Sequence, residues 1–267
     1  MRQVLTTLVV SGVLTILAAP AAADWNAGDG HKMHFPQMPD PRGWDVNFTL
    51  HGVGAQLAVA DDWKCTQSGP VSDIHFWFSS RGDLAPLIGD LVVGIFEDIP
   101  AAQSPTGYSI PGEPLWHQLF VPGQFSIRQW GEGDQGWYDP ARETPEIIPH
   151  DHHIIYQANL ENIPNPFPQE EGKTYWLALT VFGVEPPQFA SLGWKTSLDH
   201  WNDAAVLNYA PAIGPPSWYR LEDPLTGAPL DLDLAFVITP EPGTVAMLLG
   251  AGLMGLLGYL RQARRRQ

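Results

Sequence analysis

Leu230-Asp231-Leu232-Asp233-Leu234-Ala235-Phe236-Val237-Ile238 carries an apolar residue at every second position from end to end. Leu230, Leu232, Leu234, Phe236 and Ile238 therefore share one face of an extended strand, with Asp231 and Asp233 opposite. The same period recurs upstream. Ile74, Phe76 and Phe78 share a face within Val71–Phe78, and Tyr175, Leu177, Leu179 and Val181 share one within Lys173–Phe182. Weaker strand patterns lie at 44–50, 56–60, 90–97, 115–120, 124–130, 153–160, 191–196 and 205–208. No stretch in this region keeps a 3.6-residue period over three turns. Between residues 24 and 240, Pro and Gly supply 44 of 217 residues, and all 11 tryptophans of the chain lie there. That Pro and Gly content is below the ~25–30% that marks disorder. Many turns and a bulky core predict about ten short strands in one all-β domain over 24–239, a jelly-roll-like β-sandwich. Two Pro-, Gly- and acid-rich stretches, 98–114 and 131–150, read as long loops, and 24–43 as a poorly ordered lead-in.

Both ends of the chain differ from this middle. Met1-Arg2-Gln3 is positive, Val4 to Leu17 is mostly apolar, and Ala21 and Ala23 frame an A-x-A cleavage site. Residues 1–23 read as a secretory signal peptide cut before Asp24. At the other end, Pro240 and Pro242 can neither extend a helix nor donate to a ladder, so they close the domain. The 18 residues from Gly243 to Leu260 carry no charge. As a helix they would cover roughly 27 Å at about 1.5 Å per residue, close to the ~30 Å hydrocarbon core. Arg261, Arg264, Arg265 and Arg266 follow and favour the cytoplasmic side. Segment 240–267 is thus expected to carry one transmembrane helix, weakened by its five glycines.

Pro240-Glu241-Pro242, the apolar span 243–260 and the basic cluster ending in Arg264, Arg265 and Arg266, in that order at the C-terminus, resemble the PEP-CTERM sorting signal of bacteria. The resemblance implies processing by an exosortase near the motif, transient residence in the inner membrane, and delivery to the cell surface or an extracellular polysaccharide matrix. The phrases Ala60-Asp61-Asp62-Trp63, Gly69-Pro70-Val71-Ser72-Asp73-Ile74-His75, Glu97-Asp98-Ile99-Pro100, Pro111-Gly112-Glu113-Pro114-Leu115-Trp116 and Leu232–Ile238 resemble an uncharacterised β-rich domain that recurs in PEP-CTERM-tagged proteins. That domain carries no known chemistry to transfer.

The formal net charge is −15, and removing the arginine-bearing ends leaves the middle more acidic. Such a surface repels phosphate backbones, so nucleic acid is excluded as a partner. The single Cys65 permits no internal disulfide and reads as a small buried hydrophobe.

Candidate chemistry is sparse. His150 and His152 point the same way on an extended chain and offer two metal ligands, but no HExxH or CxxC supplies the rest. Asp231 and Asp233 share a face, as do oxygen ligands for structural calcium, and Asp61-Asp62 is a second acidic pair. Gly107-Tyr108-Ser109-Ile110-Pro111 fails the G-x-S-x-G elbow at its last position. Flat aromatics in loops stack on sugar faces, and Trp137-Tyr138 and Trp218-Tyr219 are the candidates for that role, with Trp130 and Trp201 behind them. Taken together, the residues point to an exported, non-enzymatic structural or adhesive component of surface polysaccharide. The alternatives are a dedicated carbohydrate-binding module and a hydrolase acting on the matrix.

Overall fold

The computed structural model describes residues 24–50, 55–182, 191–211, 218–227 and 230–239. The signal peptide expected at 1–23 and the span expected at 243–260 lie outside the described residues. Among the described residues no helix is long and apolar enough to cross a membrane.

The domain is all-β. Its strands are β1 (Trp44–Asn47), β2 (Thr49–Leu50), β3 (Ala55–Lys64), β4 (Gly69–Pro70), β5 (Asp73–Ser80), β6 (Leu91–Ile99), β7 (Ile110–Phe120) and β8 (Ser126–Asp139). They continue with β9 (Glu146–Leu160), β10 (Pro168–Gln169), β11 (Thr174–Phe182), β12 (Leu192–Ser197), β13 (Val206–Pro211), β14 (Trp218–Arg220), β15 (Asp233–Leu234) and β16 (Phe236–Thr239). One sheet runs β14-β13-β3-β11-β6-β7, with β2 beside β11. The other runs β15-β12-β1-β8-β9-β5-β16, and β12 also pairs with β5. Strands β12, β1, β8, β9 and β5 therefore close into a ring. On one edge of β5, β16 pairs with Asp73–Phe76 and β12 with Phe78–Ser80.

The two sheets share one apolar core, and the period-two pattern explains why. Ile74, Phe76 and Phe78 of β5 are buried, as are Tyr175, Leu177, Leu179 and Val181 of β11. Trp63 of β3 meets Phe236 of β16 edge-on at 6.2 Å, and Trp194 of β12 meets the same ring at 6.0 Å. The Trp63–Phe236 contact joins one sheet to the other, and Trp194 packs on the same ring from within its own sheet, each ring bringing a large apolar area.

Two expectations are corrected. The lead-in 24–43 is docked. Trp25 is 3% exposed and stands edge-on to Trp77 at 5.9 Å. Its carbonyl accepts from Arg128 Nη2 and Gln157 Nε2 at 2.8 and 3.0 Å. Further on, the Lys32 and Gln37 amides donate to the Ile238 and Phe236 carbonyls. The stretch 131–150 is no loop either, because most of it belongs to the bulged β8–β9 hairpin. Its glycines reflect a close approach. A Cβ at Gly133 would stand 1.7 Å from the Pro41 carbonyl oxygen, so only glycine lets the docked strap cross the hairpin.

Candidate functional site

The hairpin end and the edge of the other sheet enclose a groove of about 880 Å³. One wall is the β8–β9 turn. Asp139 accepts from the Ala141 amide at 3.2 Å and pairs with Arg142 at 3.0 Å. Arg142 pairs with Glu146 at 3.1 Å, and Glu146 binds Arg81 through both oxygens at 2.8 and 3.0 Å. This chain of alternating charges holds the turn in place. The opposite wall is the β13–β14 pair, in register Leu207↔Tyr219 and Asn208↔Trp218. Leu207 and Leu221 are buried at the groove floor, while Tyr209 and Tyr219 stand exposed along it, Tyr219 by 56%. Tyr138 faces them from the hairpin, with Arg142, Glu143 and Arg220 also lining the groove. Burial pushes the Tyr138 phenol above its ordinary pKa, and nearby Glu222, Asp139 and Asp223 push the same way. The groove therefore offers three phenol rings and hydroxyls, with Arg142, Arg220 and Glu143 as its charged lining.

Two of the four aromatic candidates, Tyr138 and Tyr219, meet here, and their neighbours do not. Successive strand residues face opposite ways, so each dipeptide is split. Trp137 is buried with the Arg81 guanidinium 5.7 Å over its ring. Trp218 packs edge-on to Phe96 at 6.2 Å, and its carbonyl accepts from the Tyr108 hydroxyl at 3.0 Å. Tyr209 was not among the candidates. It lies two residues beyond Leu207 on β13, on the same face as Leu207.

The expected metal residues are separated. His150 has a positive φ of 57°, which breaks the alternation that would align it with His152. His150 is exposed and bonds Asp134 at 2.6 Å. His152 is buried, with Nε2 2.9 Å from Asp45 Oδ2 and Nδ1 2.9 Å from Asp151 Oδ2. Burial opposes charge on this ring, but Asp45 and Asp151 outweigh it and its pKa is raised. Asp231 and Asp233 border a small cavity of about 220 Å³ with His200, Asn202 and Asp203. Asp231 is taken by Arg220, and Asp233 by the Trp201 amide at 2.7 Å and by His200 at 3.4 Å. Asp61 is buried under Gln37 Nε2 and the Leu234 amide, at 2.7 and 2.6 Å. Burial raises Asp61 well above the usual carboxylate range, and Asp233 and Asp62 add to the shift. Among the described residues no group of three or more His, Cys, Asp or Glu is arranged to hold a metal ion.

Residues 33–239 match the family described as a domain of unknown function, DUF7901. The chain belongs to the DUF7901 family. In this member the family domain ends where a second match begins, the PEP-CTERM protein-sorting motif over 239–266. That match covers Pro240, Glu241, Pro242, Arg264, Arg265 and Arg266, all outside the described residues, and it marks an exported protein processed by exosortase and sorted to the cell envelope. No curated protein and no solved structure matches the chain. The last described residue of the DUF7901 domain, Thr239, is buried in β16 and bonds His75 Nε2 at 3.3 Å. His75 Nδ1 bonds Asn159 at 2.7 Å, and Asn159 donates to Asp24 at 3.0 Å. Both ends of the described domain therefore meet at one pole, beside the Ser126↔Asn159 end of the β8–β9 hairpin. The groove lies at the other end, beyond Asp139↔Glu146.

Proposed function

We propose that this protein is a non-enzymatic, adhesive envelope component whose DUF7901 domain holds a neutral surface polysaccharide in the groove of Tyr138, Tyr209 and Tyr219. The observation that carries this reading is three convergent tyrosines in an open groove at the pole opposite Thr239, the residue at which the sorting-motif match begins. Along the hairpin the two poles are on the order of 40 Å apart at ~3.3 Å per residue. A precursor held by its tail in the membrane would present the groove outward. Phenol faces stack on the apolar faces of sugar rings while hydroxyls and Glu143 order the sugar hydroxyls. The lining arginines are already paired, Arg142 with Asp139 and Glu146 and Arg220 with Asp231, so the described lining has no unpaired cation to call for an anionic polymer.

Glu143 is the one carboxylate among the described lining residues. The neighbouring Asp139 and Glu146 are engaged by arginines. Glycosidase chemistry needs two carboxylates across the scissile bond, so this arrangement favours holding over cutting. We read the fold as a jelly-roll-like sandwich in which one sheet has closed where β12 meets β5.

The test is a panel of neutral and anionic polysaccharides presented to the exported protein. Binding of a neutral polymer, weakened about 5–30-fold by Tyr219→Ala, corresponds to ~1–2 kcal/mol of lost stacking. Binding that Tyr138→Ala and Tyr219→Ala leave unchanged would remove the groove from the account.

A further inference from the structure

A second constellation lies inside the ring. Asp45 of β1 and Lys195 of β12 are directly opposed in register, and both are 0% exposed. Lys195 Nζ stands 2.9 Å from Asp45 Oδ2 and also donates to the Gly43 and Trp44 carbonyls at 2.9 and 3.4 Å. Asp45 Oδ2 receives His152 Nε2 at 2.9 Å as well. Asp45 Oδ1 is buried with no partner. A Cβ at Gly193 would stand 2.6 Å from Asp45 Cβ, so the backbone of β12 closes over the carboxyl. The chain has a single cysteine, buried Cys65, and so no internal disulfide.

We propose that Lys195 and Asp45 condense into an intramolecular isopeptide bond that joins β12 to β1 covalently. A proton passes within the pair from the ammonium to the carboxylate, leaving an amine beside a carboxylic acid. Nζ, held 2.9 Å from Oδ2, then attacks the neighbouring Cγ. The attacking nitrogen passes a further proton to Oδ2, 2.9 Å away, while His152, hydrogen-bonded to Oδ2, holds that oxygen as the leaving group. The Nζ–Cγ bond forms, the Cγ–Oδ2 bond breaks, and Oδ2 leaves as water. Two of the three ammonium protons depart with that water and one stays on the amide. Nothing is oxidised or reduced, and no further reactant is needed. Oδ1 becomes the amide oxygen, and an unpartnered neutral amide costs less in this dry site than an unpartnered carboxylate oxygen.

The surroundings support the sequence of steps. Burial is the largest influence on both groups and opposes both charges. For Lys195 it prevails over Asp45 and lowers the amine's pKa, whereas Lys195 and His152 together hold Asp45 low. The proton shift inside the pair is therefore the uphill part, and the Asp151–His152 couple is placed at the oxygen that leaves. The bond would fasten the β12–β1 seam of the ring covalently in an exported domain that no internal disulfide staples.

Peptide mapping of the exported protein, purified from cells expressing the full chain, decides the matter. Trypsin cuts after Arg42, Lys64, Lys173 and Arg220 but not at an acylated Lys195. The bond predicts a branched peptide joining 43–64 to 174–220, lighter than the two together by one water. Recovery of free 43–64, 174–195 and 196–220 without the branched species would overturn the proposal. Lys195→Arg, which keeps the charge pair, is expected to lose the branched peptide entirely. Persistence of a peptide lighter by one water in that variant would equally overturn it. A His152→Gln protein with an unchanged circular dichroism spectrum is expected to show a several-fold lower branched yield. A wild-type yield would strike His152 from the step.

Discussion

Replacing Trp25 by alanine tests whether the N-terminal strap belongs to the folded domain. Trp25 is 3% exposed and sits against Trp77, which is itself fully buried and also meets Trp130 edge-on at 6.0 Å. A buried tryptophan removes on the order of 200 Å² from water. At ~25 cal/mol per Å² that is about 5 kcal/mol, an upper figure because the unfolded chain already hides part of the ring. The strap can lift away after truncation, so the cavity is relieved, but lifting also releases the Trp25 carbonyl from Arg128 and Gln157. We expect a loss of about 3 kcal/mol, within the usual range for such truncations. In a domain of this size that lowers Tm by roughly 6–12 °C. Urea unfolding with an unchanged m-value is the assay. Trp116, half-buried with its ring N–H on the Asn165 carbonyl, is the control, and Trp116→Ala should cost less than half as much. A Trp25→Ala protein within about 1 kcal/mol of wild type, or one less affected than Trp116→Ala, would refute the docked strap.

Other outcomes follow from the same geometry. Gly133→Ala drives a methyl into the Pro41 carbonyl and should destabilise by about 1–3 kcal/mol, whereas Gly131→Ala, with open space at its Cβ, should shift Tm little; equal Tm values would deny the close crossing. The carboxyls of Asp61, Asp62 and Asp233 all have raised folded-state pKa values, with burial the first cause. A raised folded pKa gives stability that is complete below the unfolded value near 3.8 and lost as pH rises through the folded pKa. The urea midpoint should therefore fall as pH rises above about 3.8, less steeply in Asp62→Asn; an identical slope in that variant would contradict the assignment. Tyr219→Ala should leave Tm within experimental scatter, since the ring is 56% exposed, so a large Tm loss would make Tyr219 a packing residue and not a binding one.

Period-two alternation was legible wherever one strand face meets the shared core, as at Ile74, Phe76 and Phe78 or at Leu234, Phe236 and Ile238. It failed where both faces are covered by something other than that core. Gly131-Glu132-Gly133-Asp134 reads as loop because Gly133 answers to the Pro41 carbonyl, a contact between segments about ninety positions apart. The strap 24–43 reads as unattached because its anchors are the single ring of Trp25 on Trp77, backbone groups of β16 and two side chains of the hairpin, none of which leaves a periodic mark. Two of the three groove tyrosines, Tyr138 and Tyr219, are visible in the sequence. The same alternation that revealed the strands assigns Trp137 and Trp218 to the opposite faces, and it would have found Tyr209 from Leu207. His150 and His152 show the limit of that rule, since one residue with a positive φ cancels it. The Asp45–Lys195 pair was out of reach for a different reason. Each residue sat inside a weak strand pattern as an unremarked charge, and only the antiparallel register of β1 and β12 sets them opposite. A lone lysine in an apolar strand is a signal worth following, because burying it demands a partner somewhere in the chain. Here that partner is a carboxyl with one bare oxygen, and the demand is met more completely by an amide than by an ion pair.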